Sequence, residues 1–250
     1  MSKPRICVIG CCGKMGQTVC RGLLASSDFQ LVAGVDITRI GDDIGQVINA
    51  GQLGIPVTSN LQSTLSDSKV DLAIDFSNPD AVTSNVAQCL GESVPALVGT
   101  TGISTEDVEK LRHLSDKTRT PALIVPNFAI GALLMMEFAE KAARFLPHAE
   151  IIELHHAQKV DKPSGTSKRT RECMARAMGR GDLEDPALIP IHSVRLPGLV
   201  AHQEVIFGDV GQLLTIRHDS FQRESFIPGI LLGLKQLLNL KGLKIGLELK

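Results

Sequence analysis

The chain has 250 residues, 43% of them hydrophobic, and its 26 basic and 27 acidic residues give a formal net charge of −1. This length suffices for one large or two modest domains with a sizeable core, and that core must be aliphatic because aromatic residues make up only 3%. The lack of a basic excess argues against a nucleic-acid-binding protein. We expect neither a signal peptide nor a transmembrane span, since apolar runs stay shorter than about 18 residues, and we expect a cytoplasmic location.

The first half of the chain alternates between short apolar runs and segments of helical periodicity. Strands are predicted at 5–9, 30–35, 71–76, 95–98 and 121–125. Helices are predicted at about 13–26, after the Asn78-Pro79 start signal, and from Ser104 to about Lys117. Alternation of this kind predicts βαβ units on a parallel sheet, hence an α/β fold.

The pattern changes after Asn127. A long helix is predicted from Ile130 to Phe145, then a strand that ends at two histidines, and a helix from about Gly165 to Met178. A loop is predicted from Gly179 to Pro190, and three β-like runs follow at 191–196, 203–207 and 213–217. These runs indicate an α+β domain with an open, mixed or antiparallel sheet. The tail from Ser225 to Leu240 is predicted to be an amphipathic helix.

A glycine-rich segment, GCCGKMG, occupies residues 10–16 between the first strand and the first helix. Glycine lets the backbone approach a pyrophosphate, and a helix N-terminus favours negative charge. The position at the start of a βαβ pattern therefore predicts a Rossmann-type dinucleotide site. Its candidate cofactor-binding residues are Gly10, Gly13, Lys14, Met15 and Gly16.

Asp36 closes the second predicted strand twenty residues after Gly16. A carboxylate at this place accepts hydrogen bonds from the ribose hydroxyls and repels a 2′-phosphate. Ile37 stands where an arginine would hold that phosphate, while Lys14 and Arg39 are close enough in sequence to offset some repulsion. We therefore predict use of both NADH and NADPH with a modest preference for NADH.

A second glycine-bounded loop, Gly99-Thr100-Thr101-Gly102, follows the strand at 95–98. Ligands bind at the carboxyl ends of strands in parallel sheets. Gly99, Thr100 and Thr101 are therefore candidates for contacts with the nicotinamide.

The segment 155–166, HHAQKVDKPSGT, joins two histidines, a lysine and a turn that can open a helix. A proton donor, a cation and backbone N–H groups at a helix start suit a small, multiply anionic substrate that must receive a proton. The alternative without a catalytic role is a structural histidine pair followed by a solvated lysine.

Six cysteines are present, without a CxxC pair. Reduced thiols are expected, since zinc ligation by Cys7, Cys11 and Cys12 would be poorly spaced, and we predict no metal site.

These motifs together resemble the dihydrodipicolinate (4-hydroxy-tetrahydrodipicolinate) reductase family nearly end to end. Besides the segments at 10–16 and 99–102, the resemblance rests on Asp75-Phe76-Ser77, Pro126-Asn127-Phe128, the block from Glu153 to Thr166, Ser193-Val194-Arg195, His202 before Val205, and His218…Arg223…Phe226…Gly229. Phe76, Asn127 and Phe128 join the candidate cofactor-binding residues on this ground.

The resemblance implies reduction of the cyclic imine derived from 4-hydroxy-tetrahydrodipicolinate to tetrahydrodipicolinate, with NADH or NADPH, in diaminopimelate and lysine biosynthesis. It implies that His155 is the proton donor and that Lys159 binds a substrate carboxylate. The implied carboxylate pocket is completed by His156, Ser164, Gly165 and Thr166. It also implies a homotetramer formed through the second sheet.

The expected domains are a dinucleotide-binding domain at 1–126, completed by 224–250, and a substrate-binding and oligomerisation domain at 127–223. Two alternatives stay open: a related NAD-dependent dehydrogenase of amino-acid metabolism, and a non-catalytic nucleotide-binding homologue. The chain departs from the family pattern at Ala129, Lys168, Arg169, Pro197, Gln203 and Glu204.

Overall fold

The computed structural model describes residues 2–180 and 188–249, which form two compact units. The first unit comprises residues 2–128 and 226–248, and the second comprises residues 129–180 and 188–225 together with Leu249. Each unit has its own sheet, with buried clusters on both faces of the first sheet and one against the second.

The first unit is built on a seven-stranded sheet with the strand order β11-β6-β5-β4-β1-β2-β3, and all of its pairings are parallel. Its strands are β1 (Arg5–Ile9), β2 (Gln30–Val35), β3 (Val57–Thr58), β4 (Leu72–Asp75), β5 (Ala96–Val98), β6 (Ala122–Ile124) and β11 (Leu243–Ile245). Its helices are α1 (Lys14–Ala25), α2 (Ile44–Val47), α3 (Leu61–Asp67), α4 (Pro79–Gly91), α5 (Thr105–Thr118) and α8 (Ile227–Leu237). The predicted α/β fold with a parallel Rossmann-type sheet is confirmed.

Both faces of this sheet are buried. Along β1, Ile6 and Val8 belong to one hydrophobic cluster, while Cys7 and Ile9 belong to another on the opposite face. Successive side chains of a strand point to opposite faces, so a strand with helices on both sides must be apolar throughout. This is why the strands appear in the sequence as unbroken apolar runs.

Two helices begin at the predicted caps. The Asn78 side chain accepts hydrogen bonds from the N–H groups of Asp80 and Ala81, both at 3.0 Å, and Pro79 is the first residue of α4. The Ser104 hydroxyl accepts from the N–H of Asp107 at 3.0 Å and opens α5. Such caps satisfy N–H groups that have no partner inside the helix.

The second unit has a four-stranded mixed sheet, as predicted, and its strand order is β10-β9-β7-β8. Its strands are β7 (His148–His155), β8 (Ile191–Arg195), β9 (Ala201–Asp209) and β10 (Gln212–Ser220), and its helices are α6 (Ile130–Ala143) and α7 (Gly165–Ala177). β7 pairs with β8 in parallel and with β9 in antiparallel orientation. A 3-10 helix, Arg223–Phe226, precedes α8.

The predicted loop from Gly179 to Pro190 falls mostly outside the described residues. Within residues 2–180 and 188–249, the helices are too short or too polar to cross a membrane.

Candidate active site

In the first unit, the loop after β1 comes close to two neighbouring strands. The Gly10 N–H donates to the Val35 carbonyl at 2.8 Å, and the Phe76 N–H donates to the Ile9 carbonyl at 2.9 Å. The carboxyl ends of β1, β2 and β4 therefore meet at one edge of the sheet. In parallel sheets this edge is the one that binds ligands.

Two of the loop glycines are required by the local geometry. Gly10 has φ +78°, and a Cβ there would lie 2.7 Å from the Phe76 carbonyl carbon. A Cβ at Gly16 would lie 2.8 Å from the Cys11 Cα and collide with the Gly10 carbonyl oxygen. Gly13 is the N-cap of α1 and brings no capping side chain. No side chain at the N-cap position therefore caps the N-terminus of α1, and its backbone N–H groups suit the binding of a pyrophosphate.

Asp36 lies beside this loop at the end of β2. One carboxylate oxygen accepts from the Cys12 N–H at 2.9 Å, and the other accepts from the Thr38 N–H at 2.9 Å and from its hydroxyl at 2.8 Å. Arg39, with φ 55°, points its guanidinium at Asp42, at a Nε–Oδ2 distance of 2.9 Å. Asp36 is therefore held at the loop, while the charge of Arg39 is balanced by a neighbour.

A cleft of about 750 Å³ opens at this edge of the first unit. Four of the predicted cofactor residues line it: Gly10, Gly13, Asp36 and Phe76. The other predicted cofactor residues are not in its lining: Lys14, Met15, Gly16, Arg39, Gly99, Thr100, Thr101, Asn127 and Phe128. Sequence reasoning missed several polar residues that do line it: Thr38, Ser59, Asn60, Ser77, Asn78, Asn85 and Gln88. A capping signal identified Asn78 only as a helix start.

A buried carboxylate organises the second predicted loop. Asp75 is 2% exposed, and it accepts hydrogen bonds from the Thr100 hydroxyl at 2.6 Å and the Ser77 hydroxyl at 2.7 Å. Because its hydroxyl donates to Asp75, Thr100 would contact a ligand mainly through its backbone. Gly99 lies against the aromatic rings of Phe76 and Phe128, whose centroids are 5.6 Å apart.

The one group of metal-type donors in the described residues is Cys11, Cys12 and Asp36, whose donor atoms lie within 4.8 Å of one another. Burial raises the pKa of the Cys11 and Cys12 thiols, so both are protonated at neutral pH. Metals bind the thiolate, and the Asp36 oxygens already accept hydrogen bonds. This chemistry does not favour a resident metal.

In the second unit, β7 delivers the histidine pair at its end. His155 is the last residue of the strand, and its side chain is 13% exposed. His156 follows it, with Nδ1 3.2 Å from the Gln158 side-chain oxygen. Lys159 is 24% exposed, and its ammonium lies 2.7 Å from Asp161 Oδ1. The structure thus brings the two predicted catalytic residues into one short segment after β7.

The electrostatics of this segment centre on His155. The pKa of His155 is lowered to about 4, mainly by burial; Lys159 and Arg195 add to the lowering, while Glu153 acts in the opposite direction. The imidazole is therefore neutral at pH 7 without ligand. Burial alone would raise the pKa of Glu153, but hydrogen bonds from Ser164, Ser193 and Arg195 outweigh it and hold that pKa at about 2.

The predicted carboxylate pocket coincides with the start of α7. Ser164 is the N-cap, is 2% exposed, and its hydroxyl accepts from the Ser167 N–H at 3.2 Å. Gly165, the first helical residue, is exposed, and a Cβ there would meet only open space. Thr166 follows it in the first turn, half-buried. Ser164 is thus occupied by the cap, whereas the backbone at Gly165 is approachable.

Sequence reasoning missed two residues that support this segment, Glu153 and Arg195. The Arg195 guanidinium donates to Glu153 Oε1 at 2.8 Å and to the Asp161 carbonyl at 2.7 Å. One signal was available: Glu153 and His155 are two residues apart on a strand, so they share a face.

The chain matches known proteins over nearly its whole length. A family model described as dihydrodipicolinate reductase, N-terminus, matches residues 4–128, and one described as dihydrodipicolinate reductase, C-terminus, matches residues 131–247. The 4-hydroxy-tetrahydrodipicolinate reductase of Desulfitobacterium hafniense is 44% identical, covering 99% of this chain and 98% of the relative. That of Moorella thermoacetica is 43% identical, covering 98% and 96%.

Solved structures agree. The dipicolinate-bound dihydrodipicolinate reductase from Paenisporosarcina sp. TG-14 has 37% identity and a TM-score of 0.83 and covers 98% of each chain. An amine dehydrogenase from Mycobacterium smegmatis, at 13% identity and a TM-score of 0.71 over 97% of this chain and 95% of that one, shares the fold. The chain belongs to the dihydrodipicolinate reductase family and is an NAD(P)H-dependent oxidoreductase.

Proposed function

We propose that the chain reduces the cyclic imine derived from 4-hydroxy-tetrahydrodipicolinate to tetrahydrodipicolinate, as the names of its relatives indicate for those proteins. The observation that carries the proposal is the end of β7 and the turn after it, where neutral His155 and Lys159 lie within five residues of each other. We assign cofactor binding to residues 1–126 with 224–250, and substrate binding to residues 127–223.

The cofactor fits the first unit. The glycines at 10 and 16 let the loop pack tightly against the backbone of Phe76 and Cys11, which gives it the form of a pyrophosphate-binding turn, and Asp36 stands at the ribose end of the cleft. The bound nicotinamide supplies a hydride. We place the nicotinamide amide near Gly99, Thr100 and Thr101, with Asn127 and Phe128 beside it.

The second unit supplies binding and a proton. In this proposal Lys159 leaves Asp161 to pair with a substrate carboxylate, and the backbone at Gly165 and Thr166 holds a carboxylate with support from His156 and Ser164. His155 gives its proton to the ring carbon next to the one that accepts the hydride. The hydride and the proton together reduce one double bond, so the charge balances.

A turnover assay with alternative substrates tests this function. Purified chain should oxidise NADH when enzymatically generated 4-hydroxy-tetrahydrodipicolinate is added. The reverse assay with NAD and homoserine or aspartate should give no NADH, which separates this reductase from the related dehydrogenases. Tight NADH binding without turnover on any of these compounds would point to the non-catalytic homologue.

Binding of a dicarboxylate should draw a proton onto the protein. His155 is neutral in the free enzyme because its pKa is about 4. A bound dianion neutralises Lys159 and favours the imidazolium, so the pKa of His155 rises and a fraction of a proton is taken up near pH 6. Calorimetric titration with dipicolinate in two buffers of different ionisation enthalpy measures this uptake. Equal heats in both buffers would contradict it, and His155→Gln should abolish the difference.

The finer cofactor preference follows from Asp36. Its carboxylate is fixed beside the loop, and Arg39 is already paired with Asp42, so little positive charge is left for a 2′-phosphate. An exposed contact of Lys14 or Arg39 with the phosphate would add only about 0–1 kcal/mol, which does not cancel the repulsion from the Asp36 carboxylate. We expect a modest preference for NADH.

The double variant Asp36→Ser, Ile37→Arg should shift this preference toward NADPH, since Ile37 lines the cleft. The matched control is Ile40→Arg, which places the same charge at an exposed position outside the cleft lining. The readout is kcat/KM with each cofactor. A wild-type preference for NADPH of about tenfold, or about 1.4 kcal/mol, would mean that Lys14 and Arg39 dominate.

We further propose a homotetramer formed through the second sheet. Its edge strand β10 and the preceding turn expose Val210, Leu213 and Leu214, at 97%, 77% and 40%. Exposed apolar groups this close together favour an interface. Sedimentation should give a tetramer that Leu213→Asp weakens, and a wild-type monomer at micromolar concentration would contradict the proposal.

We also propose a cytoplasmic location, where reduced cofactor is available. Cell fractionation tests this location.

A further inference from the structure

Glu153 is a wholly buried carboxylate in the middle of β7. It stays ionised at neutral pH because its pKa is held at about 2. A buried charge is costly unless hydrogen bonds and an opposite charge compensate for it. The position therefore requires a set of partners, and the structure shows what they are.

Besides the Ser193 side chain, which also hydrogen-bonds to this carboxylate, the two oxygens of Glu153 have different partners. Oε1 accepts from the Arg195 guanidinium at 2.8 Å. Oε2 accepts from the Ser164 N–H at 3.0 Å and lies 3.0 Å from the Ser167 hydroxyl. Glu153 thus links two elements. One is β7, which carries the predicted proton donor, and the other is the start of α7, where the predicted carboxylate pocket lies.

Oε2 also faces His155. It lies 3.5 Å from His155 Nδ1, and this nitrogen is buried without a hydrogen-bond partner of its own. A carboxylate at this distance favours a proton on Nδ1, because a lone pair there would face negative charge. The other ring nitrogen, Nε2, is then the one that exchanges its proton with a ligand.

We propose that Glu153 is a positioning residue that fixes the Nδ1–H tautomer of His155 and stabilises the imidazolium formed once the dianionic substrate is bound. In the catalytic step the Nε2–H bond breaks, the proton goes to the substrate carbon, and His155 returns to its neutral Nδ1–H form. Glu153 gains and loses no proton. The inference rests on the proposed reductase function for its kinetic part only.

A residue in which this chain departs from its family pattern completes the arrangement. Gln203 on β9 is 5% exposed; its side chain lies 2.8 Å from the Ser167 hydroxyl and donates to the Thr170 hydroxyl at 2.8 Å. It therefore ties the first turn of α7 to the sheet at the place where Ser167 meets Glu153. This contact limits how far the helix start can move from the carboxylate.

The first test needs no turnover. NMR of the imidazole nitrogens in isotope-labelled wild-type protein should show His155 neutral at pH 7 with its proton on Nδ1. In Glu153→Gln the tautomer should become mixed or reverse. Wild-type protein with the proton on Nε2 would overturn the inference, and this result does not depend on whether the variant folds.

The second test is kinetic. Glu153→Gln keeps the shape and removes the charge, so kcat should fall by at least about tenfold while KM for substrate changes little. The fall of kcat at high pH, where His155 loses the proton that it donates, should begin at lower pH in Glu153→Gln, since Lys159 and Arg195 oppose the imidazolium while only Glu153 and Asp161 favour it. Glu153→Asp, which keeps the charge, should restore part of kcat and of the profile.

The matched control is Glu150→Gln on the same strand. Glu150 also pairs with a histidine, His192 at 2.7 Å, but both side chains are exposed. Its substitution should leave kcat and the pH profile unchanged. A folded Glu153→Gln that behaves like this control, in a wild-type background that turns over, would overturn the inference. Absence of wild-type turnover would instead count against the proposed function.

Discussion

Lys159→Ala is expected to lower kcat/KM by roughly 10- to 150-fold, the equivalent of about 1.5–3 kcal/mol for one hydrogen bond to a charged group. The Lys159 side chain is only 24% exposed, so a substrate carboxylate that pairs with it is partly removed from water. Without the lysine, that carboxylate would keep the desolvation cost and lose its partner. The readout is steady-state kinetics at saturating NADH.

The dissociation constant for NADH should not change in Lys159→Ala, because the glycine-rich loop belongs to the other unit. Lys162→Ala is the matched control, as it removes an exposed lysine three residues away. Wild-type kcat/KM in Lys159→Ala would show that the assigned carboxylate partner is wrong.

His155→Ala is expected to reduce kcat by roughly 10²–10⁴-fold, the usual contribution of a general acid. Substrate binding should suffer much less, since Lys159 and the start of α7 remain. The difference between the effects on kcat and on dipicolinate affinity is the decisive quantity.

His148→Ala, at the exposed opposite end of β7, is the control for His155 and should behave as wild type. A near-normal kcat in His155→Ala at neutral pH would move the proton donor elsewhere, with His156 as the first candidate.

The parallel sheet was predictable because its strands are buried on both faces. The elements that the sequence analysis did not predict are short: α2 with four residues, β3 with two, α3 with seven and β11 with three. Segments of this length hold too few residues to establish a period. The strands β9 and β10 extend beyond the predicted runs, because polar or small residues at their ends, such as His202 and Ser220, interrupt the apolar pattern even where they are buried.

The site was only partly predictable for a different reason. Motif spacing identified the loop at 10–16 and the segment at 155–166, whose residues are neighbours in sequence. The supporting contacts are long-range: Arg195 meets Glu153 across 42 residues, and Gln203 meets Ser167 across 36. Pairings of this kind depend on strand order and register, which the sequence pattern does not specify.

Transfer of a deuterium label from NADH to the substrate tests the proposed reduction. Wild-type protein is incubated with enzymatically generated 4-hydroxy-tetrahydrodipicolinate and with NADH that is deuterated at both C4 positions. The mass of the product is then measured by mass spectrometry. We expect tetrahydrodipicolinate that carries a single deuterium on a ring carbon, with one NADH consumed per product. Unlabelled product, or NADH consumption without this product, would contradict it.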